Sequence, residues 1–203
     1  VCLDRLFVWA EYCATMEAMS DNNTGDNNTD ASAASHAASH AANNGDLVRI
    51  GEGDYLYWED LQPSTFDLGE YTFTQQEILE FAGRFDPQPF HVDPQAAEQS
   101  QFGGLIASGW HTGSVYMGLY ARNFLNYTAS LGSPGVENLR WLAPVRPGDV
   151  VRGTVEIVRS QPSGSNPKRG TVFFVSQLVN QDDVVVYHME GRGMFGRRTP
   201  ATG

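Results

Sequence analysis

The chain has 203 residues, of which 41% are hydrophobic, and it carries a formal net charge of −11. This length and composition allow one domain of ordinary size with a buried core and leave little room for two. The acidic balance argues against nucleic acid and against an anionic membrane surface as partners, because both favour a basic protein face.

The first 46 residues differ in composition from the rest. Residues 20–46 contain repeated DNNT and SHAA units and almost no side chain that a core could bury. We therefore predict a disordered low-complexity extension over residues 1–46, followed by a folded domain over residues 47–203. His36 and His40 could form a small metal-binding tract, but a solvated tail is the simpler interpretation.

Both cysteines, Cys2 and Cys13, lie in this extension. The predicted domain can therefore contain neither a disulfide nor a cysteine nucleophile. The opening residues are moderately apolar but hold four charged side chains, so they lack the charge-free run of a signal peptide or a membrane helix. On these grounds we expect a cytoplasmic protein.

The elements of the domain are predicted in chain order from residue 47. A strand is expected around residues 66–73, and the TQQE sequence at residues 74–77 is a capping box that begins a helix. This helix should stop at Asp86, because a residue before proline disfavours the helical conformation. Asp93 followed by Pro94 is typical of a helix start and predicts a short helix to about residue 100.

The second half of the chain predicts one helix and several strands. Residues 110–127 are apolar nearly all round, which indicates a buried helix. Four strand-like segments follow, and their apolar residues alternate with a period of two. This order predicts an α+β fold with an antiparallel sheet around the long helix. Short turns between the strands favour a meander. The four segments are GVENLRWLAPVRPGD, VVRGTVEIVRS, GTVFFVSQLVNQ and VVVYHMEGRGMFG.

The sequence FDPQPFH at residues 85–91 places Asp86 and His91 five positions apart with two prolines between them. Each proline fixes its own φ and disfavours the helical region for the preceding residue, which predicts a stiff, extended loop. A carboxylate and an imidazole held in this way are suited to proton transfer near neutral pH. Glycines before the buried helix, including Gly109, would let a substrate approach backbone N–H groups. The combination predicts a site that adds or removes water next to a carbonyl.

Simpler roles exist for each of these residues. Asp86 could merely end its helix, His91 could be a partly buried histidine with a backbone partner, and Ser114 could be a small residue at a packing contact. We expect no metal, because the spacing of Asp86, His91 and Asp93 matches no common ligand set. A serine hydrolase is disfavoured because no GxSxG sequence surrounds Ser108 or Ser114.

Residues 81–114, FAGRFDPQPFHVDPQAAEQSQFGGLIASGWHTGS, resemble the signature of the MaoC-like dehydratases, which include R-specific enoyl-CoA hydratases. That signature is Asp, any residue, Asn-Pro, any residue and His, then a second Asp and a glycine-containing helix start. Asp86, Pro89, His91 and Asp93 fit the pattern. The later RWLAPVRPGDVV is also similar to the family, so the resemblance extends over about residues 50–198.

The resemblance implies a hotdog fold, an antiparallel β-sheet wrapped around a long central α-helix, and a homodimer. It also implies reversible hydration of a trans-2-enoyl thioester to an R-3-hydroxyacyl thioester, with coenzyme A belonging to the substrate and no bound cofactor. By position, Asp86 and His91 would activate the water and move its protons. The N–H of Gly109 would bind the thioester oxygen, and Ser114 would orient Asp86.

Two positions depart from the family pattern, since Gln88 replaces the Asn and Ser108 replaces the His before the helix-start glycine. These departures leave the acyl substrate open. An acyl-CoA thioesterase and a non-catalytic acyl-thioester-binding protein remain alternatives. No glycine-rich nucleotide motif marks a coenzyme A site. Five basic residues are candidate phosphate contacts, although an ordinary surface charge is the simpler interpretation of each: Arg122, Arg146, Arg159, Lys168 and Arg169.

Overall fold

The structure is a computed structural model that describes residues 47–51 and 53–198. The predicted disordered extension over residues 1–46 lies outside the described residues, and so do Cys2, Cys13, His36 and His40. The interpretations of that segment remain predictions.

The first helix, α1 (Gln75–Phe85), begins where the capping box predicts. The Thr74 hydroxyl accepts a hydrogen bond from the Glu77 N–H at 3.2 Å, and the Glu77 carboxylate accepts one from the Thr74 N–H at 3.3 Å. The helix ends at Asp86, whose N–H still donates to the carbonyl of Ala82. Both predicted ends of this helix are confirmed, and Asp86 is placed at its C-terminus.

The segment after α1 is only partly extended. Gln88 has the extended conformation (φ −77°, ψ 143°) expected before a proline, but Pro89–Val92 form one helical turn, α2. Pro89 occupies the first position of this turn, where its missing N–H costs no hydrogen bond. The prediction of an extended loop through His91 is therefore wrong, and His91 lies on a helical turn.

Side-chain caps begin the next two helices. Asp93 accepts hydrogen bonds from two first-turn N–H groups and begins α3 (Pro94–Glu98), as the sequence predicts. Ser108 accepts a hydrogen bond from the N–H of Trp110 at 3.2 Å and begins the central helix, α4 (Gly109–Asn123). Local side-chain oxygens therefore set both helix starts.

The central helix buries one side and leaves another uncovered. Val115 and Leu119 are buried, whereas Trp110 is 62% exposed and Met117 is 46% exposed. The helix also ends earlier than predicted, and a 3₁₀ turn follows over Leu125–Tyr127. The prediction of a helix buried on nearly all faces is therefore wrong. In the part of the chain that the structure describes, no helix is long and apolar enough to cross a bilayer.

Five strands form one antiparallel sheet in the order β1-β3-β4-β5-β2. Strands β3 to β5 form the predicted meander. Strand β2 pairs with β5 instead of β3, so the prediction that all four strands form one simple meander is wrong. Residues 142–149 carry the chain from β2 to the far side of the sheet. The strands are β1 (Ser64–Thr72), β2 (Val136–Trp141), β3 (Val150–Pro162), β4 (Arg169–Asn180) and β5 (Val185–Gly196).

The buried residues of β3 and β4 alternate, as predicted, and pack against α4. An ideal Cβ at Gly153 would lie 3.2 Å from side-chain atoms of Leu68 and Leu119, so the missing side chain lets the helix pack closely on the sheet. The Tyr116 hydroxyl donates to the hydroxyl of Ser176 at 2.5 Å within this layer. An antiparallel sheet packed on one central helix is the expected α+β hotdog arrangement.

Candidate active site

A cleft of about 540 Å³ lies beside the N-terminus of α4. The end of α1 and the turn α2 contribute Asp86, Gln88 and His91 to its wall, and α4 contributes Gly109. Residues 141–145 close another side, and the Ala107 N–H donates to the Val145 carbonyl at 2.8 Å. The fold therefore brings Asp86, His91 and Gly109 together in one concave site, while Ser114 does not line it.

His91 is buried, and its two ring nitrogens have different surroundings. Nδ1 lies 2.8 Å from the carbonyl oxygen of Ile106, which can only accept, so Nδ1 carries a proton. Nε2 lies 3.5 Å from Oδ2 of Asp86. In the neutral imidazole, Nε2 is therefore an acceptor that faces the carboxylate.

Both oxygens of the Asp86 carboxylate accept a hydrogen bond from a side chain. The Ser108 hydroxyl donates to Oδ2 at 2.7 Å, and the Gln88 amide donates to Oδ1 at 2.8 Å. Partial burial by itself raises the pKa of Asp86, but the hydrogen bonds from Ser108 and Gln88, together with the positive charge that His91 carries when it is protonated, outweigh it. The net result is a pKa below the ordinary value, so Asp86 is ionised at neutral pH.

Gly109 is the first residue of α4, and its N–H is one of the first-turn groups that have no acceptor within the helix. Its carbonyl accepts a hydrogen bond from the Trp141 indole at 2.7 Å. An ideal Cβ at this position would lie 2.5 Å from the Trp141 ring, so only glycine fits beneath that ring. The structure thus supplies a backbone donor in the cleft, and its contact with a thioester oxygen remains a prediction.

The predicted contact between Ser114 and Asp86 is not seen among the described residues, and Ser108 occupies that place instead. The Ser114 hydroxyl donates to the carbonyl of Trp110, one helical turn earlier, at 2.7 Å. Ser114 lines the neighbouring apolar cavity and not the cleft. A serine before Gly109 is recognisable in sequence as a helix cap, but no sequence signal connects it to an aspartate 22 residues earlier.

A second cavity of about 440 Å³ lies beside the cleft and was not predicted from the sequence. Its wall is mainly apolar, and Trp110 and Trp141 line both spaces. The two indole rings meet edge to face, with centroids 5.3 Å apart. No local sequence pattern indicates this cavity, because its lining comes from segments distant in sequence, including Gly113 and Met117 of α4, Leu139 of β2 and Phe174 of β4.

The five basic residues considered as phosphate contacts do not line the described cleft. Arg146 donates to the carbonyl of Phe102 at 2.5 Å, and the Arg159 guanidinium lies 3.8 Å from the centroid of the Phe173 ring. Asp93 caps α3. Within residues 47–51 and 53–198, no group of three His, Cys, Asp or Glu residues is placed to hold a metal ion.

Comparison with known proteins identifies the family of this chain. Residues 64–178 match the family model described as "MaoC like domain". The solved structure of the MaoC-like dehydratase from Rhodospirillum rubrum is 39% identical, with a TM-score of 0.67, over 71% of this chain and 99% of that one.

Two curated relatives are more distant. The 3-hydroxyacyl-thioester dehydratase Z of Mycobacterium tuberculosis is 33% identical over 103 residues, which are 50% of this chain and 68% of the relative. The 3-hydroxybutyryl-CoA dehydratase of Methylorubrum extorquens is 28% identical over 112 residues, which are 53% of this chain and 67% of the relative. The matched family region contains Asp86, His91 and Gly109 and covers more than half of the sequence. The chain belongs to the MaoC-like dehydratase domain family.

Proposed function

We propose that this protein is a hydro-lyase that reversibly hydrates a trans-2-enoyl-CoA thioester to the R-3-hydroxyacyl thioester. The observation that carries the proposal is the pair of Asp86 and His91, an ionised carboxylate and an imidazole nitrogen 3.5 Å apart in a cleft at a helix N-terminus. Two relatives named as dehydratases of 3-hydroxyacyl thioesters and of 3-hydroxybutyryl-CoA support this substrate class.

The two acceptors are suited to hold the reacting water. Oδ2 of Asp86 and Nε2 of neutral His91 can each accept one hydrogen of a water molecule, which leaves its lone pairs free for C3 of the substrate. As the oxygen–C3 bond forms, one water proton passes to the pair and the electrons of the C2=C3 bond move towards the thioester carbonyl. A proton returned to C2 completes the addition of water, and the reverse sequence is dehydration.

The N-terminus of α4 is suited to stabilise the charge that develops on the thioester oxygen. The N–H of Gly109 is free of an intrahelical acceptor, and the helix dipole favours negative charge at this end. The hydrogen bond from Trp141 to the Gly109 carbonyl holds this residue in place. In this proposal Gly109 supplies the electrostatic contribution and the acid–histidine pair moves the protons.

The apolar cavity supports an acyl substrate. It adjoins the cleft through Trp110 and Trp141, and its volume of about 440 Å³ lies in the range of small-molecule sites. Its wall offers apolar contact and few polar groups, as a hydrocarbon chain requires. We assign the acyl chain to this cavity and the thioester to the cleft.

The direct test uses crotonyl-CoA and follows the loss of its ultraviolet absorbance. We expect turnover by the wild type, and a fall in kcat of about 10² to 10⁴-fold in Asp86→Asn and in His91→Ala, which is the usual contribution of a proton-transfer group. Circular dichroism would verify that both variants remain folded. Turnover of several enoyl-CoAs that survives in both variants would show that the site assignment is wrong.

A thioesterase is the second candidate, because an ionised carboxylate beside a helix N-terminus can also direct water at the thioester carbonyl. Release of free thiol from acyl-CoA, without change at C2 and C3, would identify that activity. Tight acyl-CoA binding without turnover in either assay would identify a binding protein.

A further inference from the structure

A chain of hydrogen bonds links the N-terminus of α4 to the Asp86 carboxylate. The N–H of Trp110 donates to the Ser108 hydroxyl oxygen at 3.2 Å, and that hydroxyl donates its proton to Oδ2 of Asp86 at 2.7 Å. Successive hydrogen bonds of this kind polarise one another. Ser108 therefore extends the positive end of the central helix to a carboxylate 22 residues earlier in the chain.

The position of Ser108 leaves its hydroxyl little freedom. The residue is fully buried, and its oxygen already serves as the N-cap of α4. Its single proton is directed to Asp86, and Oδ2 is also the oxygen that lies 3.5 Å from Nε2 of His91. Ser108 thus determines which carboxylate oxygen faces the imidazole.

Gln88 holds the other oxygen of the same carboxylate. Its amide nitrogen donates to Oδ1 at 2.8 Å, and the nitrogen must face Asp86 because an ionised carboxylate only accepts. Gln88 is solvent-exposed, so this hydrogen bond is weaker than the part-buried one from Ser108. The two donors engage different oxygens and together fix the plane of the carboxylate.

We propose that Ser108 and Gln88 are positioning residues that act through Asp86, holding its carboxylate ionised and turned towards His91. These are the two positions at which this chain departs from the family pattern, and both contact the same side chain. The inference rests on the proposed function for its kinetic readout, but the state of Asp86 can also be measured directly.

The sign of the expected pH effect follows from the donors. Each stabilises the ionised carboxylate and lowers the pKa of Asp86 against the effect of burial. Asp86 must be ionised and His91 must be neutral for both to accept hydrogens from the water, so the loss of activity at low pH reflects both groups. Removing either donor raises the pKa of Asp86 only, so the contribution of Asp86 to the acid limb of the kcat/KM profile moves to higher pH.

The experiment compares Ser108→Ala, Ser108→Thr, Gln88→Ala and Gln88→Asn with crotonyl-CoA over a range of pH. For Ser108→Ala we expect kcat to fall by about 10- to 100-fold, the equivalent of one hydrogen bond to a charged group, with a smaller change in KM. The acid limb should move to higher pH in this variant and by less in Gln88→Ala. Ser108→Thr keeps the hydroxyl and should restore both the rate and the profile, and Gln88→Asn should retain part of the effect.

Loss of the helix cap could also weaken Ser108→Ala, so Thr74→Ala is the matched control. Thr74 caps α1 and does not line the cleft. Thermal unfolding should show a loss of stability in both cap variants, whereas only Ser108→Ala should move the acid limb.

A carbon NMR titration of the Asp86 carboxyl, assigned by its absence in Asp86→Asn, tests the inference without turnover. We expect Asp86 to titrate at higher pH in Ser108→Ala than in the wild type. Unchanged titration and an unchanged acid limb in both Ser108→Ala and Gln88→Ala would overturn the inference. In that case an inactive Asp86→Asn would leave the proposed function standing, whereas an active Asp86→Asn would reject the function itself.

Discussion

At the scale of single residues, Gly109 contributes to the site because it has no side chain. Gly109 lies under the Trp141 ring, and its carbonyl accepts the indole N–H. A methyl group there would lie 2.5 Å from ring atoms, closer than any normal contact. The indole could keep its hydrogen bond only if the backbone of Gly109 moved, and that backbone carries the proposed thioester donor.

We predict that Gly109→Ala lowers kcat by about 10²-fold, which is the usual effect of losing one oxyanion donor. The matched control is Gly83→Ala in α1, because Gly83 has open space around it and should gain up to about 1 kcal/mol of stability from its better helix propensity. Steady-state kinetics and thermal unfolding of both variants provide the test. Wild-type kcat in a folded Gly109→Ala would remove this residue from the mechanism.

At the scale of elements, α4 contributes to both functional spaces. Its N-terminus faces the cleft, and a side that carries Gly113, Met117 and Tyr120 lines the apolar cavity. An ideal Cβ at Gly113 would make only an ordinary contact, 3.6 Å from the Tyr187 ring. Larger side chains at this position would therefore extend into the cavity without a clash at their first carbon.

We predict that Gly113→Leu fills part of the cavity and shortens the longest acyl chain that the protein accepts. Each methylene that the wild type buries should raise kcat/KM by about fourfold, the equivalent of 0.8 kcal/mol, until the cavity is full. Gly113→Leu should end this rise at a shorter chain and leave crotonyl-CoA turnover nearly unchanged. Gly113→Ala is the control for loss of the glycine, because it adds only one carbon. Identical chain-length profiles for the wild type and both variants would place the acyl chain elsewhere.

At the scale of the whole molecule, an uncovered apolar surface follows β2 and the exposed side of α4. Strand β2 is at the edge of the sheet, and Val136 and Trp141 on it are 56% and 44% exposed. Trp110 and Met117 of α4 are also exposed, and all four residues line the rim of the apolar cavity, so this surface and the proposed acyl site adjoin each other. Edge strands with apolar side chains favour pairing with another chain, and contiguous apolar patches of this kind mark interaction sites.

We expect a second copy of this chain to cover that surface and form the homodimer that the family resemblance implies. Light scattering after gel filtration should give twice the mass of one chain for the wild type. Val136→Lys places a charge on the edge strand and should shift the mass to that of a monomer, whereas Val158→Lys on β3, also at an exposed valine, should remain dimeric. A monomeric wild type would contradict this expectation.

Short sequence patterns were enough to predict the features that depend on neighbouring residues. The caps at Thr74 and Asp93 satisfy N–H groups only two or three positions away, so a short pattern contains both partners. Alternation of apolar residues likewise identified the strands, because the two faces of a strand are a local property. The spacing of Asp86 and His91 was enough to mark them as candidates.

Contacts between residues that are distant in sequence could be read only from the folded chain. The tertiary structure paired β2 with β5, assigned Ser108 instead of Ser114 to Asp86, and assembled the apolar cavity from separate segments. It also turned Pro89–Val92 into a helical turn, so that His91 could reach the carbonyl of Ile106. These contacts depend on strand pairing and on how α4 packs against the sheet, and burial of the whole core, rather than any local pattern, determines both.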